Sequence, residues 1–147
     1  MKIDIRDTPL NPWQELAAHE QAQGSLRTQI GAAAVFVGSM RDFNEDAAVS
    51  SLWLEHYPGM SERELEKIAR QAVARWALDD LLIIHRTGQL QPADPIVLVA
   101  AWSAHRKEAF ESCRHIMETL KSSVPFWKKE QRPDGSQRWV EKNTAGF

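Results

Sequence analysis

Residues 103–130, SAHRKEAFESCRHIMETLKSSVPFWKKE, decide how this chain is read. Ala109, Phe110, Cys113, Ile116, Met117 and Leu120 recur at helical spacing and predict an apolar stripe along a long helix that Ser103 caps. Pro125 closes that helix, because a proline pushes the residue before it out of the helical region. Beyond the break, residues 126–132 and 136–141 read as a hairpin around Pro133, Asp134 and Gly135.

The same stretch gathers positive charge. Between residues 103 and 132 seven Lys or Arg stand against four Glu, in a chain whose formal net charge is −2. An acidic protein with a local cationic site suits a small anion or an acidic tail better than a long polyanion. A pocket is expected, and no nucleic-acid face.

Working outward, residues 81–85 and 95–102 predict two strands joined across Gly88 and a turn at residues 92–95. Ser61-Glu62-Arg63-Glu64 has the form of a capping box. Leu65, Ile68, Ala69, Ala72, Val73 and Trp76 follow it as one apolar stripe. Residues 49–57 alternate as a strand, residues 39–48 are polar and read as a loop, and residues 31–38 (GAAAVFVG) read as a strand buried on both faces. Asn11-Pro12 starts a first helix that runs to about Gln21, and Ile3 and Ile5 mark a short edge strand. Residues 143–147 carry no pattern and are expected to be loose. Strands mixed with three helices, several of the strands hairpin-linked, predict an α+β fold. At 147 residues the chain is expected to form one domain, 1–147.

Composition narrows the function. One cysteine excludes an internal disulfide and a Cys-rich zinc site, which suggests a reducing, cytoplasmic setting. No run approaches ~20 apolar residues, so no membrane span is expected. The five His show no ligand spacing, and neither a Gly-x-x-x-x-Gly-Lys loop nor a Gly-x-Gly-x-x-Gly turn is present. Cys113 falls in mid-stripe and reads as inert core.

Lys121 and Lys128 are the leading chemical candidates. One sits in the last turn of the helix and the other just past Pro125, so the chain can fold back and bring both amines to one spot. Clustered cations depress one another's pKa, and a neutral amine can act as base, acid or nucleophile. A solvated lysine at a helix end is the plain alternative for either one. Arg106 is expected along the apolar stripe, where it needs a bound anion or a carboxylate such as Glu55. His105 stands beside it at the helix start, where unpaired backbone amides favour anions. Arg41 follows a strand end that closes on Gly38, and His85-Arg86 reads as flanking a turn.

Five segments together resemble a known family. They are Phe36-Val37-Gly38 with Arg41, Leu54-Glu55-His56-Tyr57-Pro58-Gly59-Met60, Ile84-His85-Arg86-Thr87-Gly88, Ser103-Ala104-His105-Arg106, and Leu120-Lys121 through Pro125-Phe126-Trp127-Lys128-Lys129-Glu130. In this order they resemble the large, catalytic subunit of molybdopterin synthase, over residues 31–141, and the last block is highly specific.

The resemblance implies an α/β hammerhead fold with an added antiparallel β subdomain, and a homodimer that takes up two small ubiquitin-like sulfur carriers to give a heterotetramer. It implies that the carrier's C-terminal Gly-Gly thiocarboxylate enters the large subunit's pocket. There its sulfur passes to cyclic pyranopterin monophosphate, and two rounds make the dithiolene of molybdopterin. No cofactor or metal is implied. By position Lys121 and Lys128 match the catalytic lysines. Ser39, Met40, Arg41, His105, Arg106, Lys121, Lys128, Lys129 and Glu130 match substrate-binding positions, some of them contributed across the dimer. A non-catalytic adaptor that only binds the carrier's tail is the alternative, and an unrelated phosphate-ligand or RNA-binding module is a further one.

Overall fold

The structure, a computed structural model, describes residues 1–140. The expectation for residues 143–147, and the last residue of the expected hairpin, lie outside the described residues. Among the described residues ten strands and three α-helices follow in the order β1 (Lys2–Arg6), α1 (Pro12–Ala22), β2 (Ala32–Ser39), β3 (Phe43–Asn44), β4 (Ala47–Ala48), β5 (Ser51–His56), α2 (Met60–Trp76), β6 (Asp80–Arg86), β7 (Gly88–Leu90), β8 (Pro95–Ser103), α3 (Arg106–Ser123), β9 (Phe126–Gln131) and β10 (Gln137–Trp139).

Two four-stranded sheets organise them. The first has the order β1-β6-β8-β2, with β1 parallel to β6 and the remaining pairs antiparallel. The second, β10-β9-β5-β7, is antiparallel throughout. This is the expected α+β arrangement, with the second sheet as the added antiparallel subdomain.

The main core lies between the first sheet and the helix pair α2 and α3. Leu65, Ile68 and Ala72 of α2 and Ile116, Met117 and Leu120 of α3 pack on Leu81, Ile83, Val99 and Ala101. A smaller cluster on the opposite face joins Leu10 and Leu16 to Leu82, Ile84, Leu98 and Trp102. Covered on both faces and flanked on both edges, β6 is buried at every residue, which explains its continuous apolar sequence. Gly31, just before β2, is fixed by a close approach. A Cβ there would stand 2.1 Å from the Ala104 carbonyl oxygen, so no larger residue fits without moving the backbone.

Several expectations need correction. β2 is an edge strand with Val35 and Phe36 exposed, not a strand buried on both faces, because only β8 pairs with it. The expected loop at residues 39–48 contains the small hairpin β3–β4, with Glu45 and Asp46 at positive φ in its turn. A further strand, β7, lies between the two expected strands at residues 81–102 and pairs with β5 in the other sheet.

Helix α2 starts at Met60, earlier than the capping-box pattern indicates. Gly59 caps it at φ +82°, and the Glu62 carboxylate accepts from the Gly59 amide at 2.6 Å. Ser61 instead accepts from the Tyr57 amide and donates to the Pro125 carbonyl, inside the core. Ser103 likewise is the last residue of β8, and its hydroxyl donates to the His105 carbonyl while α3 begins at Arg106. Phe110 is 68% exposed, because the inward face of α3 is Ala109, Ser112, Cys113, Ile116, Met117 and Leu120, and Phe110 lies about 100° away from Ala109.

Candidate active site

Where α3 ends and β9 begins, the chain turns along one wall of a cavity of about 200 Å³. Val124, the residue before Pro125, takes an extended conformation and stops the helix. The strand that follows alternates its faces. Phe126, Lys128 and Glu130 line the cavity, whereas Trp127 and Lys129 do not. Lys121, in the last turn of α3, lines the same cavity as Lys128. The helix, the proline break and the strand therefore bring the two expected lysines together.

Burial pushes the Lys128 pKa below the ordinary lysine value. The positive charge of Lys121 pushes it in the same direction, and Glu130 acts against both. A depressed ammonium pKa raises the fraction of neutral amine, the form able to accept a proton or attack a carbon.

Ser39, Met40 and Arg41 supply another wall. A register shift between Gly38 and Ser39 turns the end of β2, and Met40 is pinned there by backbone hydrogen bonds with Asp94 and Ala93. The Arg41 guanidinium lies 4.7 Å from the centre of the Phe43 ring.

Glu130 is buried and fully engaged. It accepts from the Asn44 side-chain amide and from Arg138 Nη2 at 3.0 Å, and Arg138 also reaches Glu45 at 3.1 Å. This network ties the β3–β4 hairpin to β9 and β10, beside the cavity that Phe43 and Asn44 help to line. Glu130 thus lines the cavity as expected, with its charge offset by Arg138.

The remaining expected site residues lie elsewhere in the chain. Lys129 projects from the other face of β9, 5.5 Å from the centre of the Trp139 ring, in a shallow depression with Trp53 and Gln89. His105 and Arg106 are exposed at the start of α3. Fifteen helical steps separate Arg106 from Lys121, a distance of about 22 Å. Arg106 therefore does not run along the buried stripe. A guanidinium is too costly to bury without a carboxylate, and Glu55 accepts instead from the Trp53 indole on the second sheet.

Among the cavity residues outside the expected set, Asn44, Phe126 and His85 carry polar or aromatic groups into the site, and Arg138 supports its wall from outside. His85 is 5% exposed within β6, so it does not flank a turn, and its ring stacks on Phe126. A signal was present for His85, which continues the every-second-residue row of Leu81 and Ile83. Cys113 is buried as expected, and burial raises its thiol pKa to about 11, which leaves it uncharged and poorly reactive.

Comparison with known proteins shows the family. The family described as MoaE protein matches residues 6–123. The molybdopterin synthase catalytic subunit of Pseudomonas aeruginosa is 49% identical over 142 residues, covering 96% of this chain and 91% of that protein. Among solved structures, the molybdopterin biosynthesis MoaE protein from Burkholderia ambifaria superimposes with a TM-score of 0.77 at 43% identity, over 99% of this chain and 93% of that one. The molybdopterin synthase crystal structure from Staphylococcus aureus gives a TM-score of 0.81 at 32% identity, over 95% and 98% of the two chains.

Proposed function

The chain belongs to the MoaE protein family, and we propose on that premise that it moves sulfur from the C-terminal thiocarboxylate of a small ubiquitin-like carrier onto cyclic pyranopterin monophosphate. Membership of the family of molybdopterin synthase catalytic subunits carries a sulfurtransferase role in general terms. The carrier, the substrate and the parts played by individual residues belong to the proposal.

The observation that carries it is the shared cavity of Lys121 and Lys128, with the Lys128 ammonium destabilised by burial. A thiocarboxylate and a phosphate are both anions, and a partly desolvated cationic pocket attracts both. Holding the two reactants at one place supplies much of the rate acceleration. Each transfer breaks the carrier's acyl C–S bond and forms a C–S bond on the pterin side chain in place of a C–O bond, whose oxygen departs with the proton it needs, while water restores the carrier's carboxylate. Lys121 and Lys128 are placed to stabilise the anionic sulfur and to exchange the protons this requires.

In this proposal the active unit is a homodimer bearing two carriers, in the cytoplasm. His105 and Arg106, too far from the cavity of their own chain, would join the cavity of the other copy. Arg41 lines the cavity and suits the phosphate. Reconstitution tests the proposal: purified chain, thiocarboxylated carrier and pterin precursor are mixed and dithiolene product is measured. Product that depends on both the chain and the loaded carrier is expected. No product, or product without the chain, would overturn it.

A further inference from the structure

His85 occupies a position that the pattern of β6 reserves for an aliphatic residue. Leu81 and Ile83, on the same face of the strand, pack in the main core. At the end of that row the imidazole reaches the cavity. Its ring stacks on Phe126 with centroids 4.0 Å apart and planes 12° apart, and its Nδ1 lies 2.8 Å from the Arg86 carbonyl oxygen. A carbonyl can only accept, so Nδ1 carries the hydrogen and donates it. In the neutral ring Nε2 is then a bare acceptor. Among the described residues it has no hydrogen-bond partner.

The ring stays neutral in this setting. Burial pushes its pKa down to about 4, Lys128 and His56 add to the effect, and only the Arg86 carbonyl opposes it. The charged side chains around it are Lys121, Lys128 and Arg41, all donors when protonated. Glu130, the carboxylate of the cavity wall, is already held by Asn44 and Arg138. Such a lining locates negative charge but offers a heterocycle's N–H edge few neutral acceptors, chiefly the Ser39 hydroxyl, the Asn44 side-chain oxygen and the bare Nε2 of His85.

We propose that His85 is a further substrate-contacting residue, whose Nε2 accepts a hydrogen bond from an N–H or O–H donor of the pterin and so fixes the ring's orientation over the two lysines. This rests on the sulfur-transfer proposal above. Aminopyrimidine rings of the pterin class carry several such donors, and a buried acceptor held by a stack and a backbone anchor discriminates among them more sharply than charge attraction does.

Two substitutions separate this from a packing role. His85→Asn keeps an amide donor within reach of the Arg86 carbonyl and withdraws the acceptor from the Nε2 position. His85→Gln returns an amide oxygen near that position. The full chain is titrated calorimetrically with the pterin precursor and, separately, with the carrier. For His85→Asn the precursor Kd should rise about tenfold to a hundredfold, with the carrier Kd unchanged, and His85→Gln should recover most of the loss. In turnover the change should fall on KM for the precursor.

Unchanged precursor affinity in His85→Asn, equal losses in both variants, or a loss confined to the carrier would overturn the assignment. Should His85→Asn fail to fold, His85→Phe, which keeps the stack on Phe126, is titrated in its place against the same outcomes. A wild-type chain that binds neither ligand would overturn the sulfur-transfer proposal, and this one with it. A wild type that binds and converts the precursor, alongside unaffected variants, would overturn the His85 assignment alone.

Discussion

Lys128 and His85 are basic groups held against their preference for charge, and each makes the fold sensitive to that choice. For Lys128, burial and Lys121 together outweigh the help from Glu130, so the ammonium form is destabilised in the folded chain. An apolar side chain of similar length relieves that penalty, so Lys128→Met should melt at the same or a higher temperature than wild type. A clear fall in Tm would show instead that the ammonium is a net structural contact. For His85 the sign follows from proton counts. Its pKa is 6.5 for the ordinary group and about 4 in the fold, so between those values the unfolded chain binds more protons. Stability should therefore fall as pH drops through that window, with about 3 kcal/mol at stake from this group. Urea unfolding across the same range should show a shallower slope for His85→Asn, and an identical slope would contradict the account. Cys113 completes the residue scale. Its buried thiol, raised to about 11, should resist alkylation in the native state, and Cys113→Ala should cost about 1 kcal/mol while leaving sulfur transfer from a loaded carrier intact. A folded Cys113→Ala chain that binds the carrier yet makes no product would place the sulfur on this chain instead.

Among the elements, the junction of α3 and β9 sets the geometry of the site. Ser61, with no exposure to solvent, bonds the Tyr57 amide at 3.0 Å and the Pro125 carbonyl at 2.9 Å, fastening the start of α2 to the break that aims Lys128. Ser61→Ala leaves two backbone groups unsatisfied, so chemical unfolding should show a loss of about 1–3 kcal/mol. A loss below about 0.5 kcal/mol would mean that water replaces the hydroxyl. This serine also shows what a sequence conveys and what it hides. The stripes of α2 and α3, the break at Pro125 and the lysines on either side of it follow from spacing and were legible. The use of Ser61 was not, since Ser-x-x-Glu looks the same whether the hydroxyl caps its own helix or reaches a distant carbonyl. β2 misled for a related reason. Its run of small apolar residues fits a central strand, and only the strand order shows that nothing pairs with its outer edge. His85 was hidden by its neighbours, because a His-Arg pair before glycine looks like a turn until β6 is seen to run, buried, through Arg86.

At the scale of the whole molecule, the positive charge concentrated in residues 103–132 is not gathered in one place. Lys121 and Lys128 share the cavity, while His105 and Arg106 stand about 22 Å away at the other end of α3. A homodimer that pairs one copy's cavity with the other copy's helix start would reunite them. That makes a mixing experiment informative. Lys121→Ala and Arg106→Ala chains, each inactive alone, should form mixed dimers with one intact site, recovering about a quarter of wild-type activity when unfolded and refolded together in equal amounts. No recovery, with mixed dimers demonstrated, would place Arg106 outside the site. The central claim is that the cavity shared by Lys121 and Lys128 performs the transfer, and the most direct measurement follows labelled sulfur from the carrier's thiocarboxylate to the pterin in a single turnover. Wild type should move the label, and Lys128→Met should bind carrier and precursor yet transfer about 10²–10⁴ times more slowly. Transfer at the wild-type rate by a folded Lys128→Met chain would contradict it.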